Sequence, residues 1–141
     1  MAGAARRTLA RARSHRPSAT GLGCGIDVVE LPRFAQALQR GGQAFLNRIV
    51  TTTEQGYARR HRNPLPHLAA RFAAKEAVIK AISQAAPGSL LSMKAIEIRN
   101  AANGRPSVTL HARARHVVEL QISLSHSDGL AMACAVAILA R

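Results

Sequence analysis

The most constraining feature of this sequence is a long helix that has no polar face. Residues 67–82, HLAARFAAKEAVIKAI, show helical periodicity with large apolar side chains on one arc and alanines on the opposite arc. A helix that is apolar nearly all round is buried, so other elements must cover both of its arcs. The alanine arc allows a close approach by another backbone. Its members are Ala69, Ala70, Ala73, Ala77 and Ala81, opposite Leu68, Phe72, Val78, Ile79 and Ile82.

Two other segments carry a matching bare face. Residues 21–29, GLGCGIDVV, alternate bulky side chains with glycines, and residues 130–139, LAMACAVAIL, alternate bulky side chains with alanines. A period of two is typical of strands, so each segment predicts a strand with one bulky and one bare face. We expect the alanine arc of the helix to pack on the bare faces. The predicted fold class is therefore α+β, a long buried helix on an antiparallel sheet.

The remaining elements follow from turn and capping signals. A helix begins near Pro32 and stops at Gly41, and residues 43–50 form a second short helix or an irregular segment. Thr51 and Glu54 form a capping box for a further helix. Asn103-Gly104 and Asp128-Gly129 are hairpin turns. A weak helical pattern covers residues 112–120.

Charge divides the chain into two parts. Residues 1–20 are rich in arginine and free of acids, which predicts a disordered basic arm, with an organelle transit peptide as the alternative. Residues 21–141 form the single predicted domain. The net charge of +13 calls for an anionic partner, such as nucleic acid, coenzyme phosphates or an acidic protein.

Apolar patterning bears on location and redox state. No apolar run reaches the roughly 18–20 residues of a membrane span, and we expect a cytoplasmic protein. Cys24 and Cys134 lie inside apolar segments, which predicts reduced thiols in the core.

Acids within apolar sequence identify a candidate site. Asp27 lies on the glycine face of its strand and Glu76 at the edge of the alanine arc, so packing of these surfaces would bring the carboxylates together. Their repulsion is relieved by a divalent cation, for which Mg²⁺ is best suited. Lys80, Lys75 and Arg71 would then face phosphate groups. Alternatively, Asp27 ends its strand or caps the next helix, and Glu76 and Lys80 form an ordinary surface pair.

The strand end SLSHS, residues 123–127, is a second candidate. Its serines and His126 suit a phosphate cradle, although a single histidine on an apolar strand face is more often a core residue. A triad of Ser125, His126 and Asp27 is conceivable, but no nucleophile elbow is present.

Taken in order, GCGIDVVELPRF, RFAAKEAVIKAI, NGRP and ISLSHSDGLAMACAV resemble the holo-[acyl-carrier-protein] synthases, the short bacterial 4′-phosphopantetheinyl transferases. The resemblance runs from about residue 21 to 139. It implies Mg²⁺-dependent transfer of the phosphopantetheine arm of coenzyme A to a serine of apo acyl carrier protein, releasing adenosine 3′,5′-bisphosphate. It also implies a trimer with active sites between subunits.

The resemblance assigns roles to residues of this chain. It implies that Asp27 and Glu76 bind the metal and, with Lys80, carry out catalysis. The residues that it implies contact the coenzyme A phosphates are Lys80, His126, Arg71, Lys75 and Ser125. The residues that it implies bind the carrier protein are Arg33, Arg48 and Arg40. The general base stays open between Glu76, acting through a water molecule, and Glu30.

The sequence leaves three points open. The family often has a glycine two residues after the KEAxxKA motif, in a loop that approaches the coenzyme. Here Ser83 occupies that position and the glycine is delayed to Gly88, so this loop departs from the family pattern. The acceptor could instead be a carrier domain of a polyketide or peptide synthase. A basic nucleic-acid-binding module is the more remote alternative, and it predicts salt-dependent binding independent of Asp27 and Glu76.

Overall fold

The computed structural model describes residues 21–111 and 117–139, so the predicted basic arm at residues 1–20 lies outside the described residues. The predicted α+β class is confirmed. The helices are α1 (Leu31–Ile49), α2 (Thr52–Arg59) and α3 (Leu65–Ala85), followed by a short 3₁₀ helix at Met93–Ala95. The strands are β1 (Leu22–Glu30), β2 (Ile96–Asn100), β3 (Pro106–Leu110), β4 (Val117–His126) and β5 (Leu130–Leu139).

The strands form two antiparallel sheets. The larger sheet has the order β1-β5-β4, and β2 and β3 form a separate pair. Both predicted hairpins are confirmed, since β2 pairs with β3 and β4 with β5. The weak helical prediction for residues 112–120 is wrong at its described end, because Val117 already belongs to β4 and pairs with Leu139. Residues 112–116 are not among the described ones.

Helix α3 packs on the bare face of the larger sheet, as the alternation predicts. Gly23 and Gly25 lie directly under it, and a Cβ atom added at Gly25 would come within 1.9 Å of the Ala77 carbonyl oxygen. Only glycine permits this approach. The alanines of β5 on the same face are also buried: Ala131, Ala133, Ala135 and Ala137. The close contact of helix and sheet fixes where Asp27 lies relative to Glu76.

The opposite face of this sheet is exposed and apolar. Leu22 is 66% exposed and Ile26 is 58% exposed, and both come from the bulky sides of the strands. Cys24 and Cys134 are free thiols on this face and are exposed. The prediction of core cysteines is therefore wrong in its placement, because the bulky face of each strand points away from α3.

Helix α1 is two helical segments joined at a kink. Gly42 has φ 55° and ψ −149°, a backbone conformation that glycine adopts readily and other residues adopt only with strain. This agrees with the predicted helix up to Gly41 and second helix after it. Phe34 packs on Phe72 of α3, with ring centroids 5.5 Å apart, and so fixes the first segment of α1 beside the carboxylates.

A buried ion pair ties the helices to the smaller sheet. Lys75 Nζ lies 2.6 Å from Glu54 Oε2, and both side chains have no exposed surface. Glu54 also accepts hydrogen bonds from the backbone N–H groups of Thr51 and Ile98, each at 2.7 Å. The first of these belongs to the predicted capping box, which is confirmed. Glu54 thus connects the start of α2 with α3 and β2.

Within the described residues, none of the helices combines the length and the apolar character needed to cross a membrane.

Candidate active site

Asp27 and Glu76 converge on one cavity, as the packing of the bare faces predicts. Asp27 projects from β1 and Glu76 from α3, and both line a cavity of about 600 Å³. Burial raises the pKa of Glu76, and the negative charge of Asp27 raises it further, while Lys80 acts in the opposite direction. The two carboxylates therefore lie close enough to repel each other in a partly desolvated site.

Lys80 links helix α3 to strand β1 beside Asp27. Its ammonium group donates to Asp27 Oδ1 at 2.8 Å and to the Ile26 carbonyl oxygen at 2.9 Å. The side chain remains 50% exposed. The principal partner of Lys80 is thus Asp27 on the neighbouring strand, rather than Glu76 one turn earlier on its own helix. A half-exposed lysine beside a carboxylate pair retains surface for contact with an anionic group.

The donor atoms at the cavity fit a small, hard cation. Carboxylate oxygens are the ligands that Mg²⁺ prefers, and Mg²⁺ commonly takes one or two of them together with water and substrate phosphates. No cluster of three or more histidine, cysteine, aspartate or glutamate side chains suited to a metal is found in residues 21–111 and 117–139. Two protein carboxylates without a third ligand leave room for phosphate oxygens.

The outer wall of the same cavity is formed by α1. Arg33 and Arg40 line it, together with Glu30 and the apolar side chains of Phe45 and Phe72. Both arginines are exposed.

Arg48 occupies a different position. It follows the kink at Gly42, and its guanidinium group lies 6.0 Å from the Phe45 ring centroid. Of the three predicted docking arginines, the structure brings Arg33 and Arg40 to the carboxylate cavity and leaves Arg48 beyond it.

A second cavity, of about 200 Å³, contains two other predicted phosphate-binding residues. Arg71 and His126 line it together with Tyr57, His67 and Asn100. Arg71 donates to Asn100 Oδ1 at 2.9 Å, and its guanidinium carbon lies 3.8 Å from the Tyr57 ring centroid.

The two cavities are distinct within one chain. His126 ends β4, and β4 is two strands from β1, a separation of about 10 Å. Sequence reasoning missed Tyr57, His67 and Asn100, although the i, i+4 spacing of His67 and Arg71 on one helix places them as neighbours and was an available signal.

The assignment of Lys75 to coenzyme phosphates is corrected. Besides its ion pair with Glu54, its ammonium group donates to the carbonyl oxygens of Ile49 and Met93, at 2.8 and 3.0 Å. An ammonium group has three N–H donors, and all three are used. Burial lowers the pKa of Lys75, and Glu54 opposes that shift. Lys75 is therefore an interior residue that stabilises the fold.

Ser125 is separated from Arg71. Residues alternate along β4, so Ser125 lies on the exposed face of the sheet, where it borders a small cavity with Ile26 and Met132. Ser125 and His126 meet only at the strand end, where both line another small cavity with Ser127. Asp27 lines none of the cavities that Ser125 lines, so the geometry gives no support to the conceivable Ser125, His126, Asp27 triad.

A carboxylate pair with a half-exposed lysine beside it, and an arginine and a histidine in a second cavity, suit a ligand that bears phosphate groups. The chain belongs to the 4′-phosphopantetheinyl transferase superfamily, whose family model matches residues 23–135. This match covers both cavities and confirms the resemblance found in the sequence.

Similar proteins carry related names. The holo-[acyl-carrier-protein] synthase of Thermodesulfovibrio yellowstonii is 40% identical over 114 residues, which are 81% of this chain and 96% of that protein. The solved structure of the Chronobacterium ammoniagenes ACPS-CoA complex has a TM-score of 0.75 at 32% identity, covering 85% of this chain and 98% of that one. The holo-[acyl-carrier-protein] synthase of Helicobacter pylori, in complex with coenzyme A, has a TM-score of 0.71 at 30% identity, covering 81% and 98%.

Proposed function

We propose that this protein is a holo-[acyl-carrier-protein] synthase, which transfers the 4′-phosphopantetheine arm of coenzyme A to a serine of apo acyl carrier protein. The observation that carries the proposal is the convergence of Asp27 and Glu76 on one cavity, with the ammonium group of Lys80 bonded to Asp27. Membership of the superfamily and the similar structures with bound coenzyme A support it.

The reaction breaks a phosphoanhydride bond of coenzyme A and forms a phosphoester bond to the carrier. The serine oxygen of the carrier bonds to the phosphorus that bears the pantetheine arm, and the bond from that phosphorus to the adenosine bisphosphate breaks. The serine proton passes to a base, and adenosine 3′,5′-bisphosphate leaves. Because the nucleophile belongs to the carrier, the enzyme must mainly position two substrates and stabilise negative charge.

Asp27 and Glu76 are the residues that would hold a Mg²⁺ ion. When bound, the ion would supply Lewis-acid polarisation of the phosphate oxygens. Lys80, half exposed beside Asp27, would donate to a phosphate oxygen. Glu30 and Glu76 both line the cavity and both remain candidates for the base that takes the serine proton.

Arg71 and His126 would hold a further phosphate group of coenzyme A in the second cavity. Arginine offers several donors in a fixed arrangement that matches phosphate oxygens. Because the two cavities are separated, a ligand that reaches both must be extended. It would span the two cavities of one subunit, or one cavity from each of two subunits. Coenzyme A, which carries phosphate groups at the 3′ and 5′ positions of its ribose, meets that requirement.

The exposed apolar sheet face supports the proposed homotrimer. Large exposed apolar patches on a protein usually mark an interface, and Leu22, Ile26, Val28, Met132 and Ile138 form such a patch here. We expect light scattering after size-exclusion chromatography to give a molar mass near three times 15.0 kDa. A mass of a single chain across the concentrations used for activity would contradict the trimer.

Docking of the carrier protein is proposed for Arg33 and Arg40. An exposed ion pair contributes about 0.2–1 kcal/mol, so each arginine replaced by alanine should raise the KM for the carrier about 1.5- to 5-fold. The KM for coenzyme A should stay unchanged, because charge at the rim acts on encounter and docking of the acidic partner. Steady-state kinetics with each substrate varied in turn provide the measurement.

The matched control for docking is Arg62→Ala, which removes an exposed arginine from the loop between α2 and α3. It should leave the KM for the carrier near the wild-type value. An increase confined to the KM for coenzyme A in Arg33→Ala or Arg40→Ala would show that these residues bind the other substrate.

The overall proposal is tested by its small product. Coenzyme A, Mg²⁺ and apo carrier protein, mixed with the enzyme, should release adenosine 3′,5′-bisphosphate, which chromatography separates from coenzyme A. Release that requires the carrier supports the transfer. Release without a carrier would indicate hydrolysis of coenzyme A, and no release with fatty-acid, polyketide and peptide-synthase carriers alike would refute the proposal. The predicted cytoplasmic location remains a prediction.

A further inference from the structure

Histidines cluster around the second cavity. His67 stacks on His61, with ring centroids 3.7 Å apart, and lies edge-on to His126 at 6.1 Å. Tyr57 completes the cluster, 4.7 Å from the ring of His61 and 5.8 Å from that of His67. Only His126 among these was accounted for by the proposed function.

The arginine at this cavity has an unused donor. Arg71 is 3% exposed, and its Nε–H is buried without a hydrogen-bond partner in the described residues. Its other nitrogens donate to the His67 carbonyl oxygen at 3.2 Å and to Asn100. A buried, unpartnered donor on a guanidinium group is costly unless a ligand satisfies it. Since the group is cationic, an anion is the fitting ligand.

We infer that His67 is a further phosphate-binding residue of this cavity, and that it takes up a proton when a phosphate group enters. The inference rests on the proposed function, because the phosphate is taken to belong to coenzyme A or to adenosine 3′,5′-bisphosphate. It adds a residue outside the set proposed so far, and it makes the affinity of the cavity for phosphate dependent on pH.

The charges that face His67 set the direction of this coupling. Burial lowers the pKa of His67, and the positive charges of His61, Arg71 and His126 lower it further. No carboxylate lines the cavity in the part of the chain that the structure describes. The negative charge of Glu54 acts on Arg71, where it opposes the lowering of the pKa by burial. The free cavity therefore holds His67 neutral near physiological pH, with three cationic or ionisable neighbours around it.

A phosphate group reverses this balance. Its negative charge favours the protonated imidazole, so the pKa of His67 is higher in the complex than in the free protein. Linkage then requires proton uptake on binding. The gain in affinity is fully present below the free-state pKa and is lost as pH rises through the bound-state pKa. At a pH between these two values, binding consumes up to one proton at this residue.

The test measures proton uptake directly. Adenosine 3′,5′-bisphosphate is titrated into the protein at about pH 7 by calorimetry in two buffers of unequal ionisation enthalpy, for wild type, His67→Gln and the control His111→Gln. His111 is exposed and lies near Glu97, and it does not line the cavity. The second ionisation of the phosphate, with a pKa of about 6, is common to all three proteins and cancels in the comparison.

We expect His67→Gln to take up fewer protons than wild type, by as much as about one per site, and to show a weaker pH dependence of affinity. His111→Gln should match wild type. Equal uptake in His67→Gln and wild type would overturn the inference and leave the proposed function intact. No binding of adenosine 3′,5′-bisphosphate by wild type at any pH would overturn both.

A second measurement needs no variant. The imidazole resonances of His67, followed by NMR across a pH titration of the wild-type protein, should give a higher pKa with saturating adenosine 3′,5′-bisphosphate than without it. An unchanged or lower value in the complex would overturn the inference even if His67→Gln failed to fold.

Discussion

Transfer by the Asp27→Asn variant is expected to fall by about 10³-fold or more, because a metal acting as Lewis acid contributes several kcal/mol and each 1.36 kcal/mol is a factor of ten in rate. The same loss is expected for Glu76→Gln. Asparagine and glutamine keep the size of the side chains and remove the charge. Initial rates of carrier modification at saturating Mg²⁺ and coenzyme A measure the effect.

The fold should survive both substitutions. Burial and the charge of Asp27 raise the pKa of Glu76, which means that the ionised carboxyl is disfavoured in the folded protein. Removing that charge relieves the repulsion, so the melting temperature of Glu76→Gln should equal or exceed that of wild type. If Glu76 had only a structural role, Glu76→Gln would show the opposite pattern: a lower melting temperature with a small loss of transfer rate.

The matched control for these variants is Glu119→Gln. Glu119 is an exposed carboxylate on β4 that accepts a hydrogen bond from Gln121. The Glu119→Gln variant should transfer the phosphopantetheine arm at the wild-type rate. Transfer by Asp27→Asn and Glu76→Gln at rates close to that of this control would contradict the assignment of the carboxylate pair.

The largest expected loss of stability follows from breaking the buried ion pair. Lys75→Met leaves Glu54 as an uncompensated charge with no exposed surface, and Glu54→Gln does the same to Lys75. Removing one partner of a buried pair costs about 3–5 kcal/mol of unfolding free energy. Urea denaturation followed by circular dichroism measures the loss. The double variant Glu54→Met/Lys75→Met should lose less than the sum of the single changes, because neither charge is then left alone.

Lys94→Met provides the control for the ion pair. Lys94 lies nearby and donates to the Val50 carbonyl oxygen, but it is exposed, so its loss should cost much less. A cost for Lys75→Met no greater than for Lys94→Met, accompanied by weaker binding of coenzyme A, would restore Lys75 to the phosphate-binding residues.

Much of the fold was predictable because its packing depends on side-chain size. The alternation of glycine and alanine with bulky residues in β1 and β5, and the alanine arc of α3, leave one way for these surfaces to meet. The same argument placed Asp27 beside Glu76. Local capping and turn chemistry at Thr51, Asn103 and Asp128 located the start of α2 and the turns of the two hairpins.

The errors arose where tertiary contacts override local pattern. Lysine is almost never fully buried, so nothing in the sequence near Lys75 indicates that Glu54 would hold it in the interior. Cys24 and Cys134 were predicted to be core thiols, but α3 covers only the bare faces of β1 and β5, which leaves both cysteines exposed. The contact between His61 and His67 spans the turn from α2 to α3, and periodicity within either helix cannot show it.

The most direct test of the proposed function is the intact mass of the carrier protein. Apo acyl carrier protein is incubated with this enzyme, coenzyme A and Mg²⁺, with parallel samples containing EDTA or the Asp27→Asn variant. The account predicts that the carrier gains the mass of one phosphopantetheine arm in the complete mixture and remains unmodified in the other two. A carrier that stays at its apo mass in the complete mixture, or gains the arm equally in all three, would contradict it.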